Sequence, residues 1–341
     1  MKKIILITLL LILVFFIFIF RDILFNKENN ETDHYKIGFV INELGDRGFA
    51  DSQAEGVKIA SEKFGIPSET YITNSFDQIK NGMVKAIKEG SNIIICGNGV
   101  FGQEAILTLS EIYSQCYFIC IDHEMPKYPK NVASITFKQN EGAFLAGILA
   151  AKMTKAKKVG FIGGVNIPVI NDFYIGYENG VHYVSENIKL YEYYINPDYN
   201  DKEDNPFNSK EGGETLADKM YSEGVDIIFA AAGGSNLGIF SSARKNDQYA
   251  IGVDTDQDYI VIGHILTSMI KHVDTGIVYI IERIIEKRFE NKNYRLGLKE
   301  NGVDLSPMLY TKVRIGEENI NYLETIKLRI ITGLLIVPSA F

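Results

Sequence analysis

From residue 36 onward, short runs of consecutive apolar residues alternate with stretches whose apolar positions repeat at helical spacing. Lys36–Ile41, Asn92–Cys96 and Tyr117–Ile121 carry almost no polar alternation, whereas Ala54, Val57, Ala60 and Phe64 recur every three or four residues. Strands without polar alternation belong in a sheet covered on both faces, and strand–helix alternation makes that sheet parallel. The pattern then restarts. Ser134–Phe137 reads as a strand and Gly142–Lys152 as an Ala-rich helix. Strands Val159–Ile162, Leu190–Ile195, Asp226–Ala231 and Tyr249–Val253 follow, separated by helical stretches. Two such series predict an α/β protein of two doubly wound lobes. The first lobe is expected to hold 36–133 plus about 266–312, and the second 134–265 plus about 313–341. The chain would cross near Val132–Phe137 and again near Ile260–Ser268.

The N-terminus breaks this pattern. Met1-Lys2-Lys3 precedes Ile4–Phe20, an uncharged apolar run closed by Arg21. Two lysines before such a run keep the N-terminus in the cytoplasm and send the rest across the membrane. No small-residue cleavage site follows, and the run spans roughly 25 Å as a helix, slightly short of a hydrocarbon core of about 30 Å. Residues 1–25 therefore read as a signal or, preferably, an uncleaved anchor, and 26–35 as a polar tether. The soluble part would sit at the cell membrane on its extracytoplasmic face. The first cysteine is Cys96, so no lipid-bearing cysteine follows the run.

Net charge is −8 and the isoelectric point about 5.3, which argues against a nucleic-acid surface. Cys96, Cys116 and Cys120 lie within or beside apolar strands and read as buried thiols. Five scattered histidines and no CxxC give no basis for a zinc site, and no cofactor is expected.

In open α/β sheets ligands bind beyond the carboxyl ends of the strands. Those positions hold Asp46 and Phe49, Gly97-Asn98-Gly99, Asp122, Phe173, Gly233-Gly234 and Asp254. Carboxylates accept hydrogen bonds from hydroxyl and ring N–H groups, glycines expose backbone N–H, and aromatic faces stack on planar rings. No nucleophile–base arrangement is present, so the set suits recognition rather than catalysis. Each residue has a plainer alternative. Asp122 and Asp254 also read as helix N-caps, Phe49 and Phe173 as core, and Gly233-Gly234 as a tight turn. Gly97–Gly102 also fits GxGxxG with Asp122 twenty residues on, the mark of a dinucleotide site. It lies in the third strand unit rather than the first, and an exported domain meets little nicotinamide cofactor. An NAD-dependent oxidoreductase is the weakest of the functional readings.

Val132–Ala151, Lys158–Gly164, Pro168–Gly176, Ala231–Phe240 and Tyr249–Gln257 together resemble the basic membrane protein family, and Thr267–Asp274 and Gly333–Pro338 extend the resemblance. The family includes purine-nucleoside receptors of ABC importers. The resemblance implies a type I periplasmic-binding-protein fold, two Rossmann-like lobes on a three-segment hinge, and no enzymatic activity. It implies that Phe49 and Phe173 flank a purine such as that of guanosine, adenosine or inosine. Asp122 would bond the base. Gly233 or Gly234, Asp254 and Lys271 would hold the ribose, with Lys271 paired to Asp254, and Asp46 would lie in the first ligand loop. An ABC permease would be the partner; a membrane-anchored sensor without a transporter is the alternative. The first loop departs from the family's Asp-x-Ser-Phe-Asn, reading Asp46-Arg47-Gly48-Phe49-Ala50, and Asp51 or Asn42 is the candidate substitute for the missing Asn.

Overall fold

A computed structural model describes residues 34–198 and 205–341. The expected anchor, residues 1–25, lies outside the described residues. None of the described helices is long and apolar enough to cross a membrane.

The apolar runs form two six-stranded sheets. The first contains β1 (Ile37–Ile41), β2 (Ser68–Ile72), β3 (Ile93–Cys96), β4 (Tyr117–Ile121), β5 (Val132–Phe137) and β11 (Asn293–Leu296), in the order β11-β5-β4-β3-β1-β2. The second contains β6 (Lys158–Gly163), β7 (Lys189–Tyr194), β8 (Ile227–Ala231), β9 (Tyr249–Asp254), β10 (Ile265–Lys271) and β12 (Val303–Leu305), in the order β12-β10-β9-β8-β6-β7. All pairings are parallel except β10 with β12. The central strands β1, β3 and β8 are buried from end to end, as parallel sheets covered by helices require, whereas the edge strands β2 and β7 are mostly exposed or half-buried.

Helices α1 (Phe49–Phe64), α2 (Ile79–Lys88) and α3 (Gly99–Ile112) cover the first sheet together with α8 (Val273–Ile285), which packs on α1. Helices α4 (Gln139–Met153), α5 (Pro168–Val184), α6 (Lys210–Ser222) and α7 (Asn236–Lys245) cover the second. A short α9 (Lys312–Ile315) and α10 (Glu317–Ile331) complete that lobe.

Two lobes are present as expected, but the crossings come later. Val132–Phe137 does not open the second lobe; it pairs with β4 in the first sheet, Phe118 opposite Val132. Ile265–Lys271 does not return to the first lobe; it pairs with β9 in the second, Met269 opposite Val253. The chain crosses after Phe137, after Lys271 and between Leu296 and Val303. The polar loop before Val132 looks like a domain break, yet the strand after it has the fully apolar face that only the sheet interior accepts.

Helices α4 and α5 approach backbone to backbone through glycines. A Cβ on Gly180 would stand 2.1 Å from the Phe144 carbonyl oxygen, and one on Gly147 2.2 Å from that of Tyr177. This close pair fixes the N-terminus of α5, and with it Phe173, beside the hinge.

Candidate functional site

The carboxyl ends of both sheets face one cavity between the lobes, enclosing about 830 Å³ of space free of protein atoms, solvent at its mouth included. Seven of the eight expected site residues border it: Asp46, Phe49 and Asp122 from the first lobe, and Phe173, Gly233, Asp254 and Lys271 from the second. Gly234 does not border it. Its Cβ position faces the Asp46 Cα at 3.6 Å, where the lobes meet.

Asp122 and Asp254 occupy similar places at the carboxyl end of the fourth strand of each series, Asp122 just after β4 and Asp254 as the last residue of β9. Neither caps a helix, and both adopt left-handed backbone, with φ of 62° and 69°. Non-glycine residues rarely accept this conformation, and Asp tolerates it better than most. The turn swings each carboxylate from the sheet end into the cleft.

Lys271, 1% exposed at the end of β10, is the cation between them. The expected Lys271–Asp254 pair does not form. Lys271 Nζ donates to Asp122 Oδ2 at 2.5 Å, bridging the lobes. Asp254 feels the ammonium only through space, and burial pushes its carboxyl up to about 7, with Asp46 and Asp122 adding to the rise. Three rings surround the ammonium: Phe49 with its centroid at 4.9 Å, Phe137 at 5.3 Å and Phe173 at 5.4 Å. The two phenylalanines expected to flank a planar ring thus come from opposite lobes and meet at one point. Phe173 is not free of the core; its ring also meets Phe229 edge-on at 6.2 Å.

Asp46 performs a local task. Its carboxylate accepts the backbone N–H of Gly48, Ala50 and Asp51 at 2.9–3.2 Å, closing the N-terminus of α1 and setting the position of Phe49. Burial still holds its carboxyl above the ordinary range. Asp51 does not replace the missing Asn, since its carboxylate accepts the N–H groups of Gly45 and Arg47 at 2.7 and 2.9 Å. Asn42 is buried, and its backbone N–H donates to Asn98 Oδ1 at 3.0 Å. The loop so braced crosses the cleft. The Arg47 carbonyl, on a residue with φ of 52°, accepts Thr255 Oγ1 at 2.8 Å and Gln257 Nε2 at 3.0 Å. Glu43 accepts the side-chain amides of Asn205 and Asn208 at 2.5 and 2.8 Å.

The GxGxxG segment has a packing explanation. A Cβ on Gly99 would stand 2.2 Å from the Ile121 carbonyl oxygen and one on Gly102 2.3 Å from Cys96 Sγ, so these glycines let α3 lie on β3 and β4. The acid that would take a cofactor ribose, Asp122, is held by Lys271. All three cysteines are buried, and burial raises each thiol.

The arrangement joins buried carboxylates, one lysine and aromatic rings in a cleft between the lobes, chemistry suited to recognition. The model of the Bmp family, described as ABC transporter substrate-binding protein PnrA-like, matches residues 36–340. The chain belongs to this family. Members are substrate-binding proteins, which agrees with a cleft built for recognition. Basic membrane protein A of Borreliella afzelii is 33% identical over 286 residues, covering 81% of this chain and 84% of that one. The ABC transporter nucleoside-binding protein BmpA of Lactococcus lactis is 32% identical over 286 residues, covering 77% and 78%. Among solved structures, an ABC transporter solute-binding protein from Aeropyrum pernix superposes with a TM-score of 0.78 at 23% identity, covering 89% of this chain and 94% of that one. That likeness shows the type I periplasmic-binding fold alone. A dimeric Lac repressor also superposes, with a TM-score of 0.61 at 14% identity, so the fold by itself does not assign a role.

Glu43, Asn205, Asn208 and Phe207 were not singled out from the sequence. The three lobe II residues lie in a polar loop after β7 that has no periodicity; the strand-end rule, had it been applied to β7, was the one signal leading there.

Proposed function

We propose that this protein binds purine nucleosides outside the cytoplasm and delivers them to an ABC permease. The observation that carries the reading is the convergence of Phe49 and Phe173 on Lys271, with Asp122 and Asp254 on either side. A purine between two phenyl faces gains about 1–3 kcal/mol of stacking. In this reading Asp122, fixed by Lys271, accepts base N–H groups. Asp254 and the backbone of Gly233 meet the ribose hydroxyls, and Asp46 serves by positioning Phe49. The lobes close on the ligand about the three crossings, a hinge motion. Polypeptide anchoring through residues 1–25 would hold the receptor beside its permease.

The Lactococcus relative described as nucleoside-binding supports the ligand class. Mass spectrometry of small molecules carried through native purification tests it directly. A co-purifying purine nucleoside is expected; a sugar or amino acid in its place would refute the assignment.

A further inference from the structure

Gln257 is buried in the loop after β9, and its side-chain amide is divided between the lobes. Its Oε1 accepts the Val253 N–H at 3.0 Å, inside the second lobe and one residue before Asp254. Its Nε2 donates to the Arg47 carbonyl at 3.0 Å, in the first-lobe loop that runs from Asp46 to Phe49. Glycines make room on both sides. A Cβ on Gly252 would stand 2.8 Å from Gln257 Oε1 and 2.7 Å from Ser268 Oγ, so β9 admits these two side chains only where it carries none itself. Across the lobe boundary, the Cβ position of Gly48 lies 3.5 Å from Gln257 Nε2, ordinary van der Waals contact. One amide thus joins the turn that carries Asp254 to the loop that presents Phe49.

A buried network centred on an acid holds that amide. Asp258, 1% exposed, accepts Ser268 Oγ at 2.7 Å and Ser306 Oγ at 2.6 Å. Ser268 Oγ in turn accepts the Gln257 N–H at 3.0 Å. Ser306 Oγ accepts the Ser268 N–H at 2.9 Å and lies 2.8 Å from Thr267 Oγ1. Ser268 stands on β10, which leads into the second crossing, and Ser306 follows β12, the strand that the third crossing enters. The network therefore ties Gln257 to the two second-lobe strands that meet the hinge. Burial raises the Asp258 carboxyl to about 6, although both serine hydroxyls lower it. An apolar side chain would fill this point without that cost. What the acid supplies is a fixed direction for two hydroxyls and, through Ser268, for the Gln257 backbone.

We propose that Gln257 couples closure of the lobes to the placement of Asp254, and that Asp258 is the residue that positions Gln257, acting through Ser268. A ligand held by Asp254 favours donation to the Arg47 carbonyl, and that donation holds the Asp254 turn towards the ligand. The proposal rests on the nucleoside reading and concerns how that site retains what it has bound. The bond to Arg47 forms only when the lobes meet, so its loss falls on ligand release rather than on entry.

The test is stopped-flow binding of guanosine, adenosine and inosine to the full chain, which gives association and dissociation rates separately. Gln257→Met keeps the length of the side chain and removes both amide bonds. It should raise the dissociation rate about tenfold and leave the association rate within about twofold. Asp258→Asn should raise the dissociation rate about threefold. The double variant should dissociate no faster than Gln257→Met alone, because Asp258 acts through Gln257. If Asp258→Asn does not fold, Ser268→Ala breaks the same link and takes its place in the cycle. A merely structural role would lower the melting temperature and leave the dissociation rate of the folded protein unchanged. Unchanged dissociation in Gln257→Met, or an equal loss in association, would overturn the coupling and leave the nucleoside reading standing. Effects that multiply in the double variant would overturn the role given to Asp258. Failure of all three nucleosides to bind the folded protein would overturn the nucleoside reading and the coupling with it.

Discussion

Asp254 should couple ligand binding to proton release. Its carboxyl is buried and raised from 3.8 to about 7. A group with a raised folded-state value keeps its proton in the folded protein while the unfolded chain has lost it. The empty protein is therefore most favoured at low pH, and that advantage is lost as pH rises from about 4 to 7. At about 1.36 kcal/mol per unit, the full ionisation cost is on the order of 4 kcal/mol. Ribose hydroxyls donating to the ionised carboxylate would offset it, so the nucleoside selects the deprotonated form. Near pH 6 the empty site is about nine-tenths protonated, and near pH 7 about half. Binding should then release about 0.9 proton at pH 6 and about 0.5 at pH 7, and affinity should fall about tenfold from pH 8 to pH 6. Calorimetry in buffers of different ionisation enthalpy counts the protons. Asp254→Asn should abolish the release, weaken binding and raise the melting temperature of the empty protein at pH 8. Buffer-independent enthalpies with flat affinity across this range would refute the reasoning.

Other substitutions probe other parts of the account. Glu43→Ala removes two hydrogen bonds across the cleft, together about 1–3 kcal/mol, and should speed ligand release about 5- to 150-fold, read by stopped-flow fluorescence. Unchanged release would show that the Glu43 bonds do not hold the lobes closed. Gly180→Ala places a methyl against the Phe144 carbonyl and should destabilise the second lobe by about 1–3 kcal/mol in urea melts, with little effect expected from alanine at exposed Gly65 beyond its left-handed strain. Asp46→Ala removes the acceptor for three backbone N–H groups and should cost about 1–2 kcal/mol of stability while weakening nucleoside affinity through the displaced Phe49; loss of stability with unchanged affinity would separate Asp46 from the site.

The sequence carried the two-lobe plan because β1, β3, β4, β8 and β9 are apolar without alternation, and a parallel sheet buried on both faces imposes that pattern. The crossings were less legible. Val132–Phe137 and Ile265–Lys271 look the same in either sheet, and only backbone pairing assigns them. Short edge strands such as Asn293–Leu296 and Val303–Leu305 left no signal, since few apolar positions define them. The site residues other than Lys271 were found through the strand-end rule, which is topological and survives errors in helix boundaries; Lys271 came only with the family resemblance. Their partners were not. Lys271 chose Asp122 over Asp254, a matter of ångströms between two carboxylates at equivalent strand ends. The latch residues Glu43, Asn205 and Asn208 belong to loops more than 160 positions apart, joined only when the lobes meet.

The central claim is that the cleft binds a purine nucleoside. Titration calorimetry of the ligand-stripped protein with guanosine, adenosine and inosine tests it most directly. The account predicts saturable one-to-one binding of at least one of them, competed by the others and lost in Asp122→Ala. No heat and no thermal shift with any of the three, from a protein that melts cooperatively, would contradict it.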